Sequence, residues 1–130
     1  MKDKIYRIGI DARLFGTAQA AGIGQYTEEL LRHLIQHDLV NQYCVFLSPK
    51  SWQDFPIYAP NLTAQKVGIR HYSLAEQFLY PLILRRAELN LIHYTNFNSP
   101  IWWKRIPSVV TIMDLTLWFF SGRTQKSWWR

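Results

Sequence analysis

A chain of 130 residues holds one domain's worth of material, and at 48% hydrophobic it is too apolar to be disordered and able to bury a sizeable core. Its 15 Lys and Arg against 9 Asp and Glu give a net charge of +6, compatible with nucleic acid, anionic lipid, a phosphorylated ligand or plain solubility without choosing among them. No stretch approaches the ~20 apolar residues of a membrane span, "MKDKIYRIGIDARLF" lacks the apolar run of a signal peptide, and the lone Cys44 reads as a buried small hydrophobe, so a reducing, cytoplasmic compartment is expected.

"KIYRIGI", residues 4–10, reads as a first strand that turns wholly apolar toward its end. Asp11, Arg13 and "FGTAQAAGIG" then break it into a loop. From Gly24 the period becomes helical: Tyr26, Leu30, Leu31, Leu34 and Ile35 share one face, and Glu28, Glu29, Arg32 and His33 turn away. Glu28 and Glu29 suit the positive end of the helix dipole, Glu28 and Arg32 make an i,i+4 pair, and Asp38 or Asn41 closes the helix. "YCVFL", 43–47, is a second strand. Three prolines and no period make 48–64 a loop, in which the acceptor-like Asn61-Leu62-Thr63 is taken as chance.

"QKVGIR", 65–70, reads as a short third strand. Ser73 with Glu76 is a capping-box pattern for a helix starting at Leu74, and Pro81 opens a second short helix over 81–87. "LNLIHY", 89–94, and "SVVTIM", 108–113, are the fourth and fifth strands, joined through "IWWKRIP", too short for a full crossover helix. This alternation, with strands that are near-continuous apolar runs, predicts an α/β fold: a Rossmann-like open, mostly parallel sheet with flanking helices. Ligands of such sheets sit at the carboxyl ends of the strands, where Asp11, His93 and Asp114 all fall.

The candidate chemistry is modest when each piece is taken alone. Gly22, Ile23 and Gly24 lead into the long helix, where bare backbone and free N–H groups could meet an anion, or could be no more than a glycine-tolerant helix start. The segment is neither G-x-G-x-x-G nor a Walker A loop. Asp114 could hold a sugar hydroxyl or an imidazole, or cap the next turn. His93 could act in a site or be a half-buried structural histidine. His33 and His37 have metal-ligand spacing, but Leu34 stands where H-E-x-x-H needs Glu, so a solvated helix face is expected and no metal. "WWKR", 102–105, "RTQKSWWR", 123–130, and Arg85 with Arg86 place basic groups beside aromatic and apolar ones. That suits contact with an anionic membrane better than nucleic acid, or else records core tryptophans beside exposed charges.

Taken in order, "IGIDAR" 8–13, "GIGQYTEEL" 22–30, "EQ" 76–77 with Pro81, "LIHYTNFNSP" 91–100 and "PSVVTIMDL" 107–115 resemble the N-terminal domain of GT-B glycosyltransferases of retaining family 4, over roughly residues 5 to 120. The resemblance implies transfer of a sugar from a nucleotide-sugar co-substrate to a saccharide or lipid-linked acceptor. It implies no cofactor and no obligatory metal, with this domain on the acceptor side of a two-domain cleft. Gly22 to Gly24 match the loop that approaches the donor phosphate, Asp114 and His93 are the expected catalytic residues, and Asp11, Arg13, Tyr26, Asn96 and Met113 are expected on the acceptor side.

Two departures stand out. The family's Thr-Ile-His-Asp-Leu is matched by Thr111, Ile112, Asp114 and Leu115, but Met113 replaces the histidine and can neither donate a proton nor hydrogen-bond a sugar hydroxyl as imidazole does. The donor-binding motifs of the second domain are not in these 130 residues, so the expectation is the incomplete N-terminal half of a GT-B architecture, inactive by itself. The rival reading is a non-catalytic remnant or a membrane- or partner-binding α/β module. A nucleotide-dependent oxidoreductase fits less well, since Ser48 and Lys50 stand where an acid should end the second strand.

Overall fold

Tyr43 to Leu47 are all buried, with Tyr43, Val45 and Leu47 in one hydrophobic layer and Cys44 and Phe46 in the other. A strand buried on both faces needs no polar alternation, which is why this segment reads as an unbroken apolar run. It is one of five strands in a computed structural model of the chain, which describes residues 4–16 and 21–115. The strands are β1 (Arg7–Asp11), β2 (Gln42–Leu47), β3 (Leu62–Lys66), β4 (Leu91–Tyr94) and β5 (Ser108–Val110), and the helices are α1 (Ala21–His37), α2 (Pro49–Gln53), α3 (Leu74–Phe78) and α4 (Tyr80–Arg86). The sheet runs β3-β2-β1-β4-β5 with every pairing parallel. The expected Rossmann-like α/β architecture is therefore present.

Ile10, Leu31 and Val45 build one core layer between the sheet and α1, joined by Phe55 and Ile57 from the segment after α2. Phe46, Tyr80, Leu84 and Ile92 build the other, under α4. Gly9 sits inside β1 because a Cβ there would lie 2.5 Å from Leu89 Cδ1 and 2.8 Å from Ile92 Cδ1. Asp38 ends α1 by accepting the backbone N–H groups of Val40 and Asn41 and the Tyr43 hydroxyl, which holds its carboxyl below the usual carboxylate range. Asn61 is buried and donates to the carbonyls of Asp38 and Asn41, a scaffolding role for the first residue of the acceptor-like tripeptide.

Several boundaries differ from the sequence reading. The helix expected from Gly24 begins at Ala21, so Gly22, Ile23 and Gly24 form its first turn rather than a loop before it. A short helix interrupts the proline-rich loop, with Ser48 Oγ accepting from Ser51 N–H at 3.1 Å and Pro49 at its start, where a missing N–H is harmless. The third strand lies at 62–66 rather than 65–70, because pairing begins at Tyr43 with Leu62 and the strand is spent by Leu47 with Lys66. The capped helix from Leu74 and the proline-opened helix beside it form as expected, with Pro81 in the first turn of the second.

Candidate functional site

Two β1 neighbours separate at the carboxyl edge of the sheet: the chain leaves β1 for β2 on one side, while β4 arrives from beyond β3 on the other. Their ends leave a crevice at this switch point, where α/β sheets of this order place ligands. Asp11 and Leu14 line it from the end of β1, Tyr94, Thr95 and Asn96 from the end of β4, and His71 and Asn98 from the loops beside them. The Thr95 hydroxyl donates to the Asp11 carbonyl at 2.7 Å, stitching the two strand ends together.

Arg13 is 2% exposed and directed inward. Its Nε and Nη2 donate to the two Asp11 oxygens at 2.9 and 2.7 Å, and Nη2 donates to Glu76 Oε1 at 2.6 Å. The guanidinium lies 3.9 Å from the centroid of the Tyr80 ring, so one face is stacked and its edge is spent on carboxylates. Glu76 is fully buried; it also accepts from Tyr72 N–H at 2.7 Å and from Asn98 Nδ2 at 2.9 and 2.8 Å, with His71 Nδ1 at 3.3 Å. Burial would raise its carboxyl, but hydrogen bonds from His71 and Asn98 and the Arg13 charge outweigh that and hold it at about 2. Tyr72 takes a left-handed backbone (φ 58°) in presenting its N–H to this carboxylate. Arg13 and Asp11 thus lock the loop after β1 to the start of α3, and Asp11 alone of the two reaches the crevice.

Asn96, 6% exposed, turns its carbonyl oxygen to Asn98 N–H, and its amide nitrogen donates to none of the described residues. Tyr94 Oη and His71 Nε2 are buried and have no hydrogen-bond partner among the described residues. Buried polar atoms are ordinarily satisfied, so the crevice lining has unspent hydrogen-bonding capacity. Burial and the nearby Asp11 also raise the Tyr94 phenol well above its ordinary value, keeping it a neutral donor.

On the α1 side of the same edge, His93 Nε2 lies 2.8 Å from Thr111 Oγ1, and Thr111 Oγ1 lies 3.1 Å from Tyr26 Oη. The chain of three groups ties β4, the segment after β5 and α1 together. Burial lowers the His93 pKa, so its imidazole is neutral at pH 7. Met113 and Asp114 follow β5 with exposed side chains. Gly24 presses against the loop after β1, where a Cβ would meet Gly16 N at 3.2 Å, whereas a Cβ on Gly22 would meet nothing within 4 Å. Of the glycine pair, one serves close packing and the other leaves open backbone.

The edge therefore gathers the expected residues into two groups: Asp11 and Asn96 at the crevice, with Arg13 buried behind Asp11 rather than on the acceptor side, and His93 with Tyr26 through Thr111. Sequence reasoning missed Glu76, His71 and Asn98, which complete the first group. Glu76 carried a signal as a capping-box residue, but nothing local marks it as the partner of an arginine 63 positions away. Among the described residues no group of three or more His, Cys, Asp or Glu side chains could hold a metal ion. Comparison with protein-family models, with curated proteins and with solved structures finds no match. Fold and edge together define a small α/β domain with a parallel, Rossmann-like sheet.

Proposed function

We propose that this domain is the acceptor-binding half of a retaining, GT-B type glycosyltransferase of family 4, with a hydroxylated acceptor lying across the mouth of the switch-point crevice, which is itself too narrow to take it in. The observation that carries this reading is the chemistry of the crevice: amides, hydroxyls, an imidazole and one carboxylate, with Tyr94 Oη and His71 Nε2 buried and without a partner among the described residues. Such a lining suits a neutral polyol. A diphosphate would call for cationic groups, yet no Lys or Arg is among the described lining residues, and the Arg13 charge is spent on Asp11 and Glu76. In this reading the nucleotide-sugar is held by a second domain facing the same edge, and Gly22 offers open backbone toward it.

His93 serves as the neutral group that orients an acceptor hydroxyl, with Thr111 and Tyr26 fixing its ring. It stands in for the histidine replaced by Met113, on the adjacent strand. Retaining transfer that leans on the donor's own phosphate needs electrostatic support and positioning more than a strong base, so the loss of one histidine is tolerable. Asp114 lies at the same edge and bears the remaining carboxylate.

The test is amide and side-chain NMR of the chain titrated with a panel of saccharides and, separately, with nucleoside diphosphates. The expected result is that saccharides shift the Asn96, Asn98 and Thr95 signals, that nucleoside diphosphates do not, and that Asn96→Ala abolishes the response. Perturbation of the crevice by the nucleotides alone, or by none of the sugars, overturns the reading.

A further inference from the structure

Beside the crevice, the outer flank of the domain is unusually apolar. Leu74, Phe78, Ile101 and Trp102 are 79%, 67%, 68% and 80% exposed, and Leu79 and Leu82 are about half exposed. Leu74 and Phe78 stand four residues apart and Phe78 and Leu82 likewise, so they follow one side of the α3–α4 pair. The segment bearing Ile101 and Trp102 is fastened beside them, since Ile101 N–H donates to Gln77 Oε1 at 2.9 Å, and the Tyr72 and Phe97 rings meet at 6.3 Å. Trp103 packs against the core while Trp102 projects outward. Single exposed apolar residues need no explanation, but a contiguous set of this size marks an interaction surface.

Charge says what covers it. From residue 67 to 110 the sequence carries Arg70, Arg85, Arg86, Lys104 and Arg105, all exposed, against only Glu76 and Glu88. Glu76 is fully buried and paired with Arg13, so the stretch shows water five positive charges and one negative. From residue 4 to 66 the six basic and five acidic residues nearly cancel. A second copy of the chain would bring like charge against like. Single-stranded nucleic acid would use the basic and aromatic groups, but the aliphatic Leu74, Leu79, Leu82 and Ile101 give a base nothing to stack on. Hydrocarbon beneath an anionic headgroup layer satisfies both sets at once.

We infer that the α3–α4 flank, with the loop bearing Ile101 and Trp102, docks the domain on an anionic lipid surface. No helix among the described residues is long and apolar enough to cross a membrane, and the contact is a peripheral one. Phe97 and Asn98 are neighbours on one loop, at the flank and in the crevice respectively. Docking would thus bring the crevice to the headgroup level, where a lipid-linked acceptor is found. The inference goes beyond the sugar-transfer reading and does not depend on it.

The full chain is sedimented with vesicles of pure phosphatidylcholine and of equimolar phosphatidylcholine and phosphatidylglycerol. It is expected to follow the anionic vesicles only and to be released by salt, each of Arg85→Gln and Arg86→Gln lowering partition about fivefold. Phe78→Ser with Trp102→Ser lowers it by roughly tenfold or more, at unchanged circular dichroism. A blue shift of tryptophan emission on the anionic vesicles, diminished in Trp102→Phe, places that ring in the interface. No partition by folded chain, partition indifferent to Phe78 and Trp102, dimerisation that buries Trp102, or tighter binding to single-stranded RNA than to vesicles overturns the inference. A chain that binds saccharide but no vesicle leaves the crevice reading intact and sinks this one.

Discussion

Arg13 holds two buried carboxylates apart from each other's charge, and that sets the cost of removing it. Arg13→Ala would leave Asp11 and Glu76 desolvated with no countercharge, a change that costs about 3–5 kcal/mol when one partner of a buried pair is lost. Arg13→Lys would keep the charge but lose the fork that spans both acids and the stacking on Tyr80, and would recover only part. The same network makes stability depend on acid. The Glu76 carboxyl sits at about 2 in the fold against an ordinary 4.5, so the unfolded chain takes up the proton first as pH falls. Its stabilisation is complete above pH 4.5 and drains away toward pH 2, on the order of 3 kcal/mol in all. Urea unfolding at pH 7 and pH 3 checks both points. In Arg13→Ala the acid loss is expected to shrink only in part, because the Arg13 charge has gone while the hydrogen bonds from His71 and Asn98 still hold the Glu76 carboxyl down.

Among the elements, α2 depends most visibly on one side chain. It has only five residues, too few to hold as a helix by its own propensity. Ser48 Oγ satisfies Ser51 N–H, and Ser51 Oγ in turn bonds the Phe15 carbonyl, fixing the loop after β1 from below. Ser48→Ala should cost about 1 kcal/mol, read from the urea midpoint, and should shift the NMR signals of Phe15 and Gly16 as well as those of α2. This helix was hidden because prolines read as loop, although Ser-Pro followed by Ser is a helix-start signal. β2 was legible because burial on both faces writes itself as an apolar run, and β1 and β4 because their inner residues are apolar and their ends are marked by polar groups. β3 slipped by three residues at its start and four at its end, since its limits come from register with β2 and not from its own composition. The carboxyl-edge placement of Asp11, His93 and Asp114 followed from the strand ends alone, whereas Asn96 entered through the family resemblance. The inward turn of Arg13, and the parts played by His71, Asn98 and Thr111, rest on contacts across distant segments that no local pattern carries.

At the scale of the whole molecule, stability falls off across the sheet from β1 and β2 toward β5. β1 has a paired strand on each side and Ile10 fully buried, whereas all three residues of β5 are exposed. Amides of β1 and β2 should therefore exchange with deuterium near the global unfolding rate, and those of β5 through cheaper local openings. Beyond its ladder to β4, β5 is tied to the rest of the domain by Thr111, whose hydroxyl meets His93 on one side and Tyr26 of α1 on the other. Thr111→Val keeps the shape and removes both contacts, leaving the half-buried imidazole without that partner. A net hydrogen bond is worth about 1 kcal/mol, so exchange of the β5 amides should quicken by about five- to tenfold. The β1 and β2 amides should shift only by the loss in global stability. If β5 exchange is unchanged, the three-group chain does not hold the edge. A saccharide that binds through His93 should slow the same amides in the native chain and fail to do so in Thr111→Val, which would link the strand's stability to the site it carries.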